Sequence, residues 1–241
     1  MYKSCILCGY GVQQVSANAE FPCCAFCVEA AAGLSSQEIS ALVKLEAIEP
    51  RFKVWGGGRR EDSESRRGEV LTVQQPARIF PGLALYIGDM DDAADVQHLV
   101  DLNIGCVINL CADRTHSEYA YVPSKLGEVG IHQQILVAGD YCGFDIISVA
   151  KHVMSTIDTT LQAAHKSGVL IHCWGGVNRS AAVAAFFLVS KCRVPLFAAV
   201  DQLMRRRGTV LTNRSFRKQL VQYCFQEGFS LEGSHGPLPD P

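Results

Sequence analysis

A layered α/β fold, a sheet covered by helices, is the class this sequence predicts, and three observations carry it. Apolar runs at Ile104–Leu110 and Gly168–Ile171 are the right length for buried strands and too short for core helices. Helical stripes precede them: Val96, Leu99, Val100 and Leu102 before the first, and Ile146, Val149, Val153, Ile157 and Leu161 before the second. A glycine-bearing turn then joins the second strand to the run Ala181–Val189, which reads as a helix buried on most sides. The chain has 241 residues, 48% of them hydrophobic, enough for one sizeable domain plus an appendage.

The appendage comes first. Five of the 11 cysteines crowd the first 27 residues: Cys5, Cys8, Cys23, Cys24 and Cys27. The pairs Cys5-x2-Cys8 and Cys24-x2-Cys27 have the paired-knuckle spacing of a four-thiolate zinc site, with Cys23 a spare able to replace Cys24. Four thiolates leave no coordination position for water, so such a zinc is structural. It would let a segment too small for its own core hold a shape, the alternative being a reduced, cysteine-rich tail. The odd cysteine count argues against a disulfide framework. Ser35-Ser-Gln-Glu38 is a capping box opening a short helix with Ile39, Leu42 and Val43 on one face. Residues 1–49 are therefore expected to form a zinc-binding module ending in a helix. Residues 50–77, with Gly56-Gly-Gly58 and the charged stretch Arg59–Arg67, read as a flexible linker in which Val54-Trp55 could dock.

Residues 78–228 form the expected main domain. Leu83–Gly88 is its first strand, and Asp89–Asp92 supply N-caps for the helix that follows. After the strand Ile104–Leu110 comes a third at Ile135–Val137, which leads through Ala138-Gly139 to Asp140, in a short mobile connection. Asp145 caps the helix Asp145–Ala164. Pro195 starts another helix, which carries Phe197, Val200 and Leu203 and ends at Gly208. Arg205, Arg206 and Arg207 in its last turn suit the dipole and read as a solvated face, or as a rim for substrate. Asn213 opens the last helix, and residues 229–241 read as a disordered tail. A formal net charge of -2 and a pI near 6.4 argue against bulk binding to nucleic acid or anionic membrane. No apolar run reaches the roughly 20 residues of a spanning helix, no signal-peptide pattern is present, and Tyr2 lacks the myristoylation signal. A soluble cytoplasmic protein, with the nucleus open, is the expectation.

The chemistry concentrates in His172-Cys-Trp-Gly-Gly-Val-Asn-Arg-Ser180. A strand, a tight glycine loop and a helix N-terminus make an anion cradle of converging N–H groups. Such a cradle favours the thiolate of Cys173, Arg179 can lay its fork on two oxygens of one phosphate, and Ser180 can donate to the sulfur. The implied reaction is attack of sulfur on phosphorus, giving a cysteinyl-phosphate. The plain alternative is a structural buried cysteine.

His-Cys-x5-Arg-Ser resembles the signature of the cysteine-based protein tyrosine phosphatase superfamily, above all its small dual-specificity branch. The resemblance covers about residues 78–228 and none of the first 75. It implies a central mixed sheet of about five strands flanked by helices. It further implies a protein phosphatase acting on phosphotyrosine and on phosphoserine/phosphothreonine, with no catalytic cofactor. In that reading Cys173 is the nucleophile, and Arg179 with Trp174, Gly175, Gly176, Val177 and Asn178 binds the phosphate. Ser180 helps the thiolate leave. Asp140, about thirty residues upstream of Cys173, is the general acid and then the base. Asp113 and Asp145 are rival acids. The resemblance makes His172 a loop support acting by hydrogen bonding, and makes Asn213, in Asn213-x2-Phe216-x2-Gln219-Leu220, a brace behind the phosphate loop. Asn109-Leu-Cys111-Ala is similar to a stretch of the superfamily's phosphoinositide phosphatase, which implies a reversible Cys111–Cys173 disulfide on oxidation, with Cys142 a second candidate partner. Cys106, Cys192 and Cys224 read as core. Trp174 and Val177 stand where lipid phosphatases carry lysines, and Gly175 replaces the usual alanine. Asn178 also occurs in RNA 5′-phosphatases. The alternatives are thus a phosphatase of RNA 5′-phosphate or phosphoinositide, sulfur-transfer or arsenate chemistry on a related loop, and a phospho-partner binding protein with weak or no turnover. Expected partners are a phosphorylated protein substrate and a protein partner for the zinc module.

Overall fold

The computed structural model describes residues 34–49, 76–80, 82–111, 122–163 and 167–233, together with two short paired segments near the N-terminus. Those segments, β1 (Lys3–Ser4) and β2 (Gly11–Val12), are antiparallel, Lys3 opposite Val12. Cys5, Cys8, Cys23, Cys24, Cys27, Trp55 and Asp113 lie outside the described residues. Among the described residues no helix is long and apolar enough to cross a membrane.

The main sheet has five strands in the order β3 (Ala77–Arg78), β4 (Leu85–Gly88), β7 (Gly168–His172), β5 (Ile104–Asn109), β6 (His132–Ile135). It is mixed: β3 runs antiparallel to β4, and every other pairing is parallel. Residue alternation explains the two layers. Leu85, Ile87, Cys106, Ile108, Val169 and Ile171 face one core, and Tyr86, Val107 and Leu170 face the other. A strand buried on both faces reads as an unbroken apolar run, which is why β5 and β7 stand out in the sequence.

The smaller core lies under α2 (Met90–Ala94), α3 (Val96–Asp101) and α4 (Val122–Glu128). One helix was expected after Asp89–Asp92, and the structure has two. Asp95 ends α2 and caps α3, its carboxylate accepting from His98 N. The larger core collects α5 (Ile146–Gln162), α6 (Arg179–Ser190), α7 (Leu196–Arg207) and α8 (Arg214–Glu227). Every residue of α6 from Arg179 to Val189 is buried, so this helix runs through the middle of that layer.

Three expectations change. The third strand lies earlier than Ile135–Val137. Its sequence, His-Gln-Gln-Ile, carries no apolar pattern because β6 is an edge strand with neither face fully covered. Val137 keeps only a single bridge, to Cys111. The tail does not begin at 229. Phe229 and Leu231 pack on the large core, and the carbonyls of Ser230 and Leu231 accept from Leu196 N and Phe197 N. Those two carbonyls satisfy the first N–H groups of α7, whose N-cap, Pro195, has no side-chain acceptor.

The helix with the capping box, α1 (Ser36–Glu46), is the third change. Its cap forms as expected, Glu38 N on Ser35 Oγ at 3.2 Å and Ser35 N on Glu38 Oε2 at 2.6 Å. The helix itself belongs to the large core: Ala41, Leu42 and Leu45 are buried in it, and α1 lies against α8. Glu46 reaches Arg214 at 3.1 Å and Arg217 at 3.3 Å. Leu45→Ala should therefore destabilise the folded domain by about 2–4 kcal/mol in urea unfolding, as a core leucine does. A change within about 0.5 kcal/mol, as for a surface residue, would show that α1 is not part of this core.

Candidate active site

The carboxyl ends of β4, β5 and β7 point the same way, and the candidate site sits beyond them. From β7 the chain enters Cys173, crosses the loop 174–178 and begins α6 at Arg179. Residues on every side pin this loop. Cys173 N donates to Gly88 O at 3.4 Å, and Met90 N donates to Trp174 O at 3.3 Å. Leu211 N donates to Val177 O at 2.8 Å. Gly176 alone of the loop's two glycines takes a positive φ, +64°. A Cβ there would lie 2.5 Å from Arg207 Nη2 and 2.8 Å from Gly88 O, so no larger residue fits.

Arg207 was expected at the solvent or at a rim. It is 1% exposed and lies directly behind Gly176. Its Nη1 donates to Asp92 at 3.0 Å and its Nη2 to Asp89 at 2.9 Å. Asp89 and Asp92 also cap each other's backbone N–H at the start of α2. Burial pushes the Asp92 carboxyl up to about 6, with the charge of Arg207 opposing that rise. No one-sequence signal foretold this, because an arginine in a last turn normally faces water.

Cys173 is 2% exposed, its Sγ 3.4 Å from the Ser180 hydroxyl. Arg179 is also buried, and its Nη1 donates to two carbonyls, Leu110 O at 3.1 Å and Ala138 O at 2.9 Å. The guanidinium is thereby aimed by the ends of two different sheet segments. Asp140, two residues past Ala138, is exposed, and both its oxygens are held. Oδ1 accepts from Asn213 Nδ2 at 2.9 Å and Oδ2 from Asn178 Nδ2 at 3.2 Å. Asn178 Oδ1 in turn accepts from Thr212 Oγ1 and Asn213 N.

The connection after Asp140, expected to be mobile, is tied to α8. Gly143 N donates to Ser215 Oγ, Ile146 N to Gln219 Oε1, and Gln219 Nε2 to Phe144 O. Asp145 is occupied as the cap of α5, accepting from Ser148 N and Ser148 Oγ, and those bonds hold its carboxyl below the usual range. That removes it as a rival acid. Cys111 is buried at the end of β5, its thiol 3.2 Å from Met90 Sδ and 3.4 Å from Asn109 Oδ1. Cys142 is exposed. Burial pushes the thiols of Cys106 and Cys192 up to about 11 and that of Cys224 up to about 12, which suits packing roles. Among the described residues no group of three or more His, Cys, Asp or Glu is placed to hold a metal.

His172 ends β7 with its ring fully buried beside the backbone of Cys173. Desolvation pushes it down to about 4, so it is neutral in the working range.

A buried cysteine and a buried arginine at the two ends of a strand–loop–helix turn, with a carboxylate hydrogen-bonded to the same loop, define the class of cysteine-based phosphatase sites. The chain belongs to the dual specificity phosphatase family: the model of the dual specificity phosphatase catalytic domain matches residues 85–226. It is 27% identical over 166 residues to human dual specificity protein phosphatase 9, covering 68% of this chain and 40% of that protein. It is 30% identical over 145 residues to bovine dual specificity protein phosphatase 26, covering 59% and 64% respectively. The match thus spans less than two thirds of either relative. The crystal structure of human DUSP28 has the same fold, with a TM-score of 0.54 at 18% identity, over 63% of this chain and 94% of that one. A mouse putative dual specificity phosphatase complexed with zinc tungstate matches with a TM-score of 0.54 at 20% identity, over 70% and 100%.

The neutral His172 makes a pH prediction. The unfolded chain takes up its proton near 6.5 and the folded chain only near 4, so this residue's stability contribution is present above 6.5 and lost as pH falls toward 4. Asp92 works the opposite way, its contribution lost as pH rises through about 6. The comparison must therefore be by difference. Between pH 7.5 and 4.5, His172→Gln should gain about 2–3 kcal/mol relative to wild type in denaturant unfolding. A constant difference would contradict a buried neutral imidazole.

Proposed function

We propose that this chain is a protein phosphatase of dual specificity, hydrolysing phosphotyrosine and phosphoserine/phosphothreonine through a cysteinyl-phosphate. The observation that carries the reading is the hydrogen bond from Asn178, inside the loop bounded by Cys173 and Arg179, to the carboxylate of Asp140. Sulfur-transfer or arsenate chemistry on such a loop would not need an acid there, and neither would a protein that only captures phosphorylated partners.

In the first step the Cys173 sulfur forms a bond to phosphorus, the ester P–O bond breaks, and Asp140 gives its proton to the departing oxygen. Arg179 binds two phosphate oxygens, and the loop's backbone N–H groups take part of the charge. In the second step water forms a bond to phosphorus and gives its proton to Asp140, the S–P bond breaks, and Ser180 donates to the departing sulfur. The ledger closes without a metal or cofactor. Asn178, the residue that leaves RNA 5′-phosphate open, commits both polar side-chain atoms within the protein, which favours a protein substrate.

Two accessory readings belong with this one. Cys5, Cys8, Cys24 and Cys27 hold a structural zinc, supported by their spacing and by the pairing of β1 with β2, which brackets Cys5 and Cys8 in the chain. A protein partner is the natural ligand of that module. Cys111 is the redox partner of Cys173, supported by parallel pairing of β5 with β7, Asn109 opposite His172, which brings the two strand exits side by side.

Cys173→Ser should abolish turnover while retaining tungstate binding. Asp140→Ala should lower kcat by about 10²–10⁴ on phenyl phosphate and far less on an activated aryl phosphate. Equal loss on both substrates would remove Asp140 as the acid. Thiol mapping by mass spectrometry after mild peroxide, beside metal analysis, tests the accessory cysteines. One zinc per chain, with Cys5, Cys8, Cys24 and Cys27 protected, and a Cys111–Cys173 linkage are expected. A metal-free chain, or Cys173 found only as sulfinic acid, would count against the respective reading.

A further inference from the structure

We propose that Asn178 and Asn213 form an amide clamp that positions Asp140, with Oδ1 as the anchored oxygen and Oδ2 as the oxygen that moves the proton. The inference rests on Asp140 being the acid and base of the reaction.

The orientation of both amides is fixed independently of Asp140. Asn213 Oδ1 accepts from Ser215 N at 3.1 Å as the N-cap of α8, so its NH2 must face the carboxylate. Asn178 Oδ1 accepts from Asn213 N at 2.9 Å and Thr212 Oγ1 at 3.1 Å, so its NH2 also faces Asp140. A flip of either amide would set oxygen against oxygen on one side and leave an N–H donor facing an NH2 on the other. Asp140 itself is exposed and lies in irregular chain, so packing alone does not set its rotamer. The clamp does, and it sets it relative to the phosphate loop because one jaw is a loop residue.

The two contacts differ. The 2.9 Å bond ties Oδ1 to the side chain of the N-cap of α8. The 3.2 Å bond places Oδ2 beside the loop, where the leaving oxygen and later the attacking water must pass. Oδ2 therefore carries the proton out in the first step and receives water's proton in the second, while Oδ1 holds the carboxyl plane. The side chains of the two asparagines do not touch the reacting atoms in this scheme: both act through Asp140. Holding an acid within reach of its oxygen is a matter of tenths of an ångström, so a released Asp140 loses rate without losing phosphate binding.

Asn213→Ser tests this while keeping a good N-cap for α8, because serine caps well but cannot span to Asp140. The expected result is a kcat lower by about 10-fold on phenyl phosphate and less than about 3-fold on an activated aryl phosphate, a tungstate inhibition constant within about 2-fold of wild type, and no further loss when combined with Asp140→Ala. Asn178→Ala, which opens the other jaw, should show the same leaving-group selectivity and carries the test if Asn213→Ser does not fold. An equal loss on both substrates, or a loss that adds to that of Asp140→Ala, would overturn the clamp and leave the asparagines as general supports. Failure of the acid assignment itself would look different: Asp140→Ala alone would then lack leaving-group selectivity.

Discussion

The turn at Gly176, closed against the guanidinium of Arg207, is the constraint on which the rest of the site depends. A loop that must aim its own N–H groups at an anion cannot also use them to hold itself together. It has to be held from behind. Arg207 fills that position with a buried cation, and Asp89 and Asp92 make the burial tolerable by accepting from both its terminal nitrogens. The same two carboxylates start α2 by capping it, so one small cluster fixes the exit of β4, the first turn of a helix and the back of the phosphate loop. Removing Arg207 would leave two carboxylates without their cation, and removing either carboxylate would leave one of its terminal nitrogens without an acceptor, so a cluster outside the reacting centre constrains it.

The first turn of α8 performs the corresponding task for Asp140. Asn213, Ser215 and Gln219 reach Asp140, Gly143, Phe144 and Ile146 in order, so the acid-bearing segment lies along α8 like a strap. Just before α8, Leu211 sits at φ +56°, a conformation a leucine adopts at a cost of about 1 kcal/mol. Its N–H goes to Val177 O and its carbonyl accepts from Arg217 Nε. Arg217 also pairs with Glu46 of α1. A helix well upstream of the family domain is thus in direct contact with the residue that holds a strained turn against the phosphate loop. This contact gives α1 a reason to pack where it does, beyond covering apolar surface on α8.

The parts of this structure that were legible in the sequence are those whose pattern is local. β5 and β7 read as buried runs, Ser35 and Asp145 as caps, Gly208 as a helix end, and the Cys173–Ser180 stretch as an anion cradle, because each depends on residues within a few positions. β6 carries no such pattern, because an edge strand of His-Gln-Gln-Ile lacks any period. Arg207, and the packing of α1, could not be read because their partners lie far away in sequence: Asp92 and Gly176 for the one, Arg214 and Arg217 for the other. The Asp140 segment reads as mobile in the sequence, because nothing in Ala-Gly-Asp-Tyr-Cys-Gly announces that four contacts from another helix hold it.

Arg179 shows how the sheet itself enters the chemistry. Its Nη1 bonds join Leu110 O, just past β5, to Ala138 O, just past the Cys111–Val137 bridge. The arginine therefore reads the relative position of two chain segments that are themselves fixed by parallel pairing of β5 with β6 and β7. Parallel strands place all their carboxyl ends on one side, so Gly88, Leu110, Ala138 and Cys173 meet there without any long loop. One of these, Ala138, is two residues from Asp140. The Arg179 guanidinium and the Asp140 carboxylate, the proposed phosphate clamp and proton carrier, consequently share an anchor, and a shift in the segment that carries one shifts the other. In the proposed reaction an acid that moves with the arginine stays aligned with the phosphate the arginine binds, which is what proton delivery to the leaving oxygen requires.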